Sequence, residues 1–84
     1  QGTLHGGIIT TIMDISMGHL IKNEQSAGTT LELKVNFMSA IKHEKIKCIG
    51  SFLKKGRTIS TLDSKLFRED GKLAAYATST WKIL

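Results

Sequence analysis

The sequence predicts an α+β domain in which a single antiparallel sheet wraps around one long central helix, and two observations carry that expectation. One stretch near the start repeats its apolar residues with the period of a helix, whereas from residue 29 onward the chain alternates with the period of a strand, broken only by short turns. Strands joined by short turns pair antiparallel, and a sheet with one apolar face needs a cover. The helix is the one segment able to supply it.

The helix is expected over residues 8–21. Its apolar residues Ile8, Ile9, Ile12, Met13, Ile15, Met17, Leu20 and Ile21 gather into one broad stripe, interrupted only by Ser16 and His19. Residues 23–28 are polar and small and end it. The remaining face shows Thr10, Thr11, Asp14 and Gly18, where a helix facing water would normally carry several Lys or Glu. Something is therefore expected to pack there, and Asp14 is the only acid in the first 23 residues.

The first strand spans residues 29–37, with Leu31, Leu33, Val35 and Phe37 on a core face and Thr30, Glu32, Lys34 and Asn36 on the other. A second runs over 45–54, with Ile46, Cys48, Gly50 and Phe52 on one side, and Lys55-Gly56 turns it into a third over 57–67. The turn Glu69-Asp70-Gly71 leads into a fourth over 72–84, where alternation sets Tyr76 and Trp81 on opposite faces, both as packing residues.

With 84 residues the chain can form one small domain, a size that leans on a partner subunit for burial. The longest apolar run covers residues 73–77, far short of the roughly 20 needed to span a bilayer, so the chain is expected to be cytoplasmic. The single Cys48 excludes an internal disulfide and reads as a buried, inert thiol. The chain opens at Gln1-Gly2, without a methionine and already inside a motif, which reads as a fragment. Charge is uneven, −1 over residues 1–41 and +6 over 42–84. Lysines on the outer face of a sheet account for the basic half, which could also attract a phosphate-bearing ligand. Nucleic acid is not the expected partner, because the five aromatic residues fall mostly on strand positions and do not interleave with the basic patch.

His5 and Asp14 are nine residues apart, about 13 Å along a helix axis and on opposite sides of it. They cannot serve one site within one subunit, so if both act, the site is assembled across a dyad from two chains. His19 and His43 have no partner at suggestive spacing, and three scattered histidines with one cysteine do not form a metal set.

The combination of Leu4-His5-Gly6-Gly7, Asp14, Gly18 and Leu31-Glu32-Leu33-Lys34-Val35-Asn36-Phe37 resembles the PaaI-like family of acyl-CoA thioesterases. The hairpin Lys54-Lys55-Gly56-Arg57-Thr58 and the closing Gly71-Lys72-Leu73-Ala74-Ala75 are similar to it too, so the resemblance covers nearly the whole chain. It implies a hotdog fold, dimers that join their sheets and often pair into tetramers, and hydrolysis of an acyl-CoA thioester to free acid and coenzyme A. It implies that the backbone N–H of Gly6, with Gly7 and the preceding His5, receives the thioester carbonyl. Asp14 would act as general base or nucleophile, and Thr30 would position water. A helix N-terminus suits a developing oxyanion, and a desolvated carboxylate is a better base, so neither metal nor cofactor is expected beyond the coenzyme A of the substrate. Lys55, Gly56, Arg57 and Thr58 are expected to meet its phosphates. Members of that family carry a first strand, and often an Asn or Gln, ahead of the His-Gly-Gly turn. The expected domain lacks both. A non-catalytic acyl-CoA-binding module, and a dehydratase or hydratase, are the competing readings on the same fold.

Overall fold

A computed structural model describes residues 6–42 and 44–84; the expectations placed on His5 and His43 fall outside the described residues. Helix α1 (Gly6–Glu24) is followed by β1 (Gly28–Phe37), β2 (Lys47–Lys54), β3 (Ile59–Phe67) and β4 (Leu73–Ile83). The strands form one sheet in the order β1-β4-β3-β2, every neighbouring pair antiparallel. The helix lies across one face of this sheet, as the periodicities predict, and runs two residues earlier and three later than residues 8–21.

What the sheet covers is narrower than the apolar stripe. Ile9, Met13, Met17 and Ile21, each four residues from the next, are buried against Leu62, Leu66, Ala74, Ala75, Ala77 and Trp81. Each of the large side chains contributes about 2 kcal/mol by leaving water. Ile8 and Ile15, expected in the stripe, are instead about half exposed, because eight apolar positions span a wider arc than one sheet can cover. Small residues on the helix-facing side of β4, Ala75, Ala77 and Ser79, let the helix approach closely, and Trp81 fills the space beyond them. Gly18, expected on the outer side of the helix, in fact lies over that indole, 3.3 Å from where its Cβ would stand. Polar contacts fix the packing: Ser79 Oγ donates to Met17 Sδ at 3.0 Å and receives Trp81 Nε1 at 2.7 Å. Ser64 Oγ meets both Ser16 Oγ at 2.9 Å and Cys48 Sγ at 3.2 Å, which accounts for the part-buried thiol.

Strand β1 departs from simple alternation. Its pairing passes from Thr30↔Trp81 to Glu32↔Thr80, leaving Leu31 opposite nothing. This bulge turns Thr30 onto the helix-facing side with Trp81 and leaves Leu31 55% exposed, the reverse of what unbroken alternation predicts for both residues. Leu33 and Val35 pack against the core, but Phe37, at the end of the strand and the start of the helix, stays half exposed. Ile46, Cys48 and Phe52 do share the helix-facing side beside β2.

Two glycines shape the turns. A Cβ on Gly56 would stand 2.0 Å from the Ile59 carbonyl oxygen, so the β2–β3 turn admits no side chain there. Gly71 adopts φ of +87° in the β3–β4 turn. The crossing from β1 to β2 buries Ile41 and is pinned by Glu44, whose carboxylate accepts the amides of Glu69 at 3.0 Å and Lys42 at 3.1 Å. Those two bonds hold its pKa below the ordinary value. On the outer face Asp63 is buried without an ionic partner among the described residues, receiving Ser51 Oγ on one oxygen and Tyr76 OH, at 3.0 Å, on the other.

Candidate active site

Gly6 opens α1 and sits against β1, with a position for Cβ 3.6 Å from the Phe37 ring. A recess of about 410 Å³ opens at this point, lined by Gly6, Ile9, Phe37, Ser39 and Ile41 among others. The first turn holds no acid, so the positive end of the helix dipole faces the recess uncompensated. The hydroxyls of Thr10 and Thr11 are turned back onto the Gly6 and Gly7 carbonyls, 2.9 Å each, and are engaged within the helix.

Asp14 lies on the flank of the helix between the buried stripe and solvent, with its Oδ1 buried and accepting no hydrogen bond among the described residues. Ser39 Oγ, in the recess, is in the same condition. Buried polar atoms without partners are rare in folded domains, and a carboxylate oxygen in that state is poised for a donor from a ligand or another chain.

Gly6 and Asp14 are eight residues apart on one helix, about 12 Å along its axis, so one protomer keeps them separate. Thr30 stands in register with Trp81, whose indole contacts Gly18, one helical turn beyond Asp14. Of the expected site residues, Gly6 sits beside Phe37 at the start of the helix, and Asp14 lies about two turns further along it. His5 lies outside the described residues.

The Lys54–Thr58 region forms a third group at the C-terminal end of the helix. Gln25 braces it, its Nε2 donating to the Gly56 carbonyl at 2.7 Å, while Ser60 Oγ receives the Gly56 amide at 3.0 Å and donates to Gln25 Oε1 at 2.8 Å. Lys55 pairs with Glu24 at 3.2 Å and lies over the Phe52 ring, whereas Arg57 and Thr58 are exposed. A recess of about 550 Å³ borders Gln25, Lys55 and Arg57. Glu24 is ten residues beyond Asp14, about 15 Å along the axis, so this turn too stands apart from the acid within one protomer. The reading from sequence missed Gln25, Ser60, Ser39 and the contact of Phe37 with Gly6. Gln25 and Ser60 look like ordinary polar residues at element ends until the fold joins them.

Residues 1–75 match the sequence profile of the thioesterase superfamily. The chain is 38% identical, over 99% of its length and 61% of the relative's, to a protein of Saccharolobus solfataricus named as an esterase. It is 35% identical to human acyl-coenzyme A thioesterase 13, over 94% of this chain and 59% of that one. The chain thus spans about three fifths of the length of these curated relatives. Its fold superposes on a thioesterase of Streptococcus pneumoniae solved with coenzyme A at a TM-score of 0.94 and 26% identity, covering 99% of this chain and 66% of the other. Zebrafish thioesterase superfamily member 2 superposes at 0.88 with 33% identity, covering 99% and 63%. One helix on a four-stranded antiparallel sheet is here the hotdog fold of those thioesterases.

Proposed function

This chain belongs to the thioesterase superfamily, and from that premise we propose that it hydrolyses acyl-CoA thioesters to free acid and coenzyme A, at a site shared by two copies of the chain. The observation that carries the reading is the buried Oδ1 of Asp14, a base awaiting a donor that none of the described residues of its own protomer provides. The spacing of Asp14 and Thr30 supports it. The S. pneumoniae thioesterase has been solved as an aspartate-to-alanine and as a threonine-to-alanine variant, and those two positions are sixteen residues apart, as Asp14 and Thr30 are here. Structures of relatives holding coenzyme A or acetyl-CoA support the substrate class.

In this reading the helix start of one protomer faces Asp14 and Thr30 of the other. The Gly6 amide, together with the helix dipole, holds the thioester carbonyl oxygen and the negative charge it gains. Asp14 takes a proton from water held by Thr30, the hydroxide adds to the carbonyl carbon, and collapse of the adduct breaks the C–S bond. The coenzyme A thiolate then leaves and takes up a proton. With Asp14 as nucleophile, an acyl-aspartyl anhydride forms first and water hydrolyses it. Lys55, Gly56, Arg57 and Thr58, on the turn braced by Gln25, meet the phosphates of the nucleotide end. The acyl group is aryl or of short to medium chain, the assembly is a homodimer or a pair of them, and the location is cytoplasmic, where acyl-CoA is met.

The test is thiol release from a panel of acyl-CoAs, headed by phenylacetyl- and hydroxyphenylacetyl-CoA, with the full-length chain. Asp14→Asn lowers turnover about a hundredfold or more while the protein stays folded and dimeric. Unaltered turnover would overturn the assignment, and tight acyl-CoA binding by the wild type without thiol release would make the protein a binding module.

A further inference from the structure

At the end of α1 the chain builds a clamp that no motif announces. Glu24 ends the helix, and Gln25, whose backbone amide still donates to the Ile21 carbonyl at 2.9 Å, carries its side chain from that fixed point onto the β2–β3 turn. Its Nε2 donates to the Gly56 carbonyl at 2.7 Å, and its Oε1 accepts the hydroxyl of the buried Ser60 at 2.8 Å, which itself accepts the Gly56 amide at 3.0 Å. We propose that Gln25 is a positioning residue that, through this clamp, aims Arg57 at the nucleotide end of coenzyme A and so sets a preference for coenzyme A thioesters over those of shorter thiols. This rests on the reading that the turn meets the phosphates, and adds the residue that orients it and the selectivity that follows.

The clamp acts on the most pliable link of the turn. The Gly56 amide belongs to the peptide that joins it to Lys55, and its carbonyl to the peptide that joins it to Arg57, so holding both fixes the backbone on either side of a residue with no side chain to restrain it. Lys55 has further anchors, the Glu24 carboxylate at 3.2 Å and the Phe52 ring. Arg57 is exposed and in no ion pair among the described residues, so its placement depends on the turn.

Charge makes that placement matter. The recess of about 550 Å³ beside the turn lies at the C-terminal end of α1, where the helix dipole is negative and Glu24 adds a carboxylate. Lys55 is matched to Glu24, which leaves Arg57 as the lining cation in excess among the described residues. A thioester of coenzyme A brings phosphates to this recess, whereas a thioester of pantetheine carries none, so the contact favours the first alone. Because the phosphates are remote from the bond that breaks, the contact is the same in the ground and transition states and enters KM, not kcat.

The experiment compares wild type, Gln25→Ala, Arg57→Ala and the double variant of the full-length chain. It reads thiol release from one acyl group borne on coenzyme A and on pantetheine, and calorimetric titration with coenzyme A alone. Each single variant raises KM for the coenzyme A thioester, and the Kd of coenzyme A, about fivefold, with kcat and the pantetheine thioester changed less than about twofold. The double variant matches Arg57→Ala, since a residue that acts through another adds nothing once the other is gone. A double variant about 25-fold weaker than wild type, the product of the singles, would show Gln25 acting apart from Arg57 and overturn the proposal. So would an equal loss toward both thioesters, or a Kd in Gln25→Ala equal to that of wild type. Ser60→Ala releases the Gly56 amide from the other side of the clamp and repeats the Gln25→Ala pattern, which keeps the test decisive if Gln25→Ala does not fold. The titration needs no turnover: coenzyme A binding that weakens as expected, in a protein that releases no thiol, would reject the hydrolase and keep the positioning role.

Discussion

At the scale of single residues, the protein separates polar groups that are satisfied from those that are not. Asp63 is buried on the outer face yet accepts two hydrogen bonds, whereas Asp14 keeps one oxygen buried with no partner among the described residues. The first pattern belongs to a structural brace and the second to a group waiting for a ligand or a neighbour. Asp63 also acts on Tyr76: the hydrogen bond to the carboxylate, with burial and its negative charge, raises the phenol pKa above the ordinary 10.0. Tyr76 is the only tyrosine, so phenolate absorbance reads it alone. Its titration midpoint is expected above 10.0 and returns toward that value in Asp63→Asn; a midpoint at or below it in the wild type contradicts the brace. Because the folded value is the raised one, the stability that Tyr76 confers is present below the unfolded pKa and is lost as pH climbs through the folded value. Asp14 stands out in the sequence as a candidate, since one acid among small and hydroxyl residues on a helix flank is conspicuous. Asp63 was not, because an acid on an alternating strand reads as solvated until Ser51 and Tyr76 are placed beside it.

At the scale of elements, periodicity identified the helix, the four strands and both hairpin turns, and it erred where local geometry broke the period. The bulge at Leu31 moves Thr30 to the helix side, and no residue type near it announces the extra position. The helix stripe was read too wide because periodicity reports which residues are apolar and not how broad a surface awaits them; Ile8 and Ile15 mark the difference. Turn chemistry was read better, since glycine has few reasons to stand between two strands. Gly56→Ala would drive a methyl group into the Ile59 carbonyl and is expected to destabilise by about 2 kcal/mol or more, lowering Tm by about 10 °C in a domain of this size. An unchanged melting curve would show that the turn can open at little cost. The same substitution loosens the Gln25 and Ser60 brace, so Lys55 and Arg57 would lose their fixed placement before the core is affected.

At the scale of the whole molecule, the helix start and the acid lie about 12 Å apart along one axis, which a single copy cannot close. In the proposed reading a second copy closes it. A site divided between chains is what the nine-residue interval between His5 and Asp14 leads one to expect, because helix geometry alone puts them on opposite sides; His5 lies outside the described residues, and the division stands as a proposal. The most direct test mixes two defective proteins. Gly6→Pro removes the backbone donor at the first helical position, where proline is tolerated, and Asp14→Ala removes the base. Each alone should be inactive toward acyl-CoA. Unfolded and refolded together in equal amounts, half of the dimers are mixed and each mixed dimer holds one intact site, so thiol release should return to about a quarter of wild type. No recovery, with mixed dimers demonstrably formed, would mean that the glycine and the aspartate act within one chain, and the shared site would be wrong.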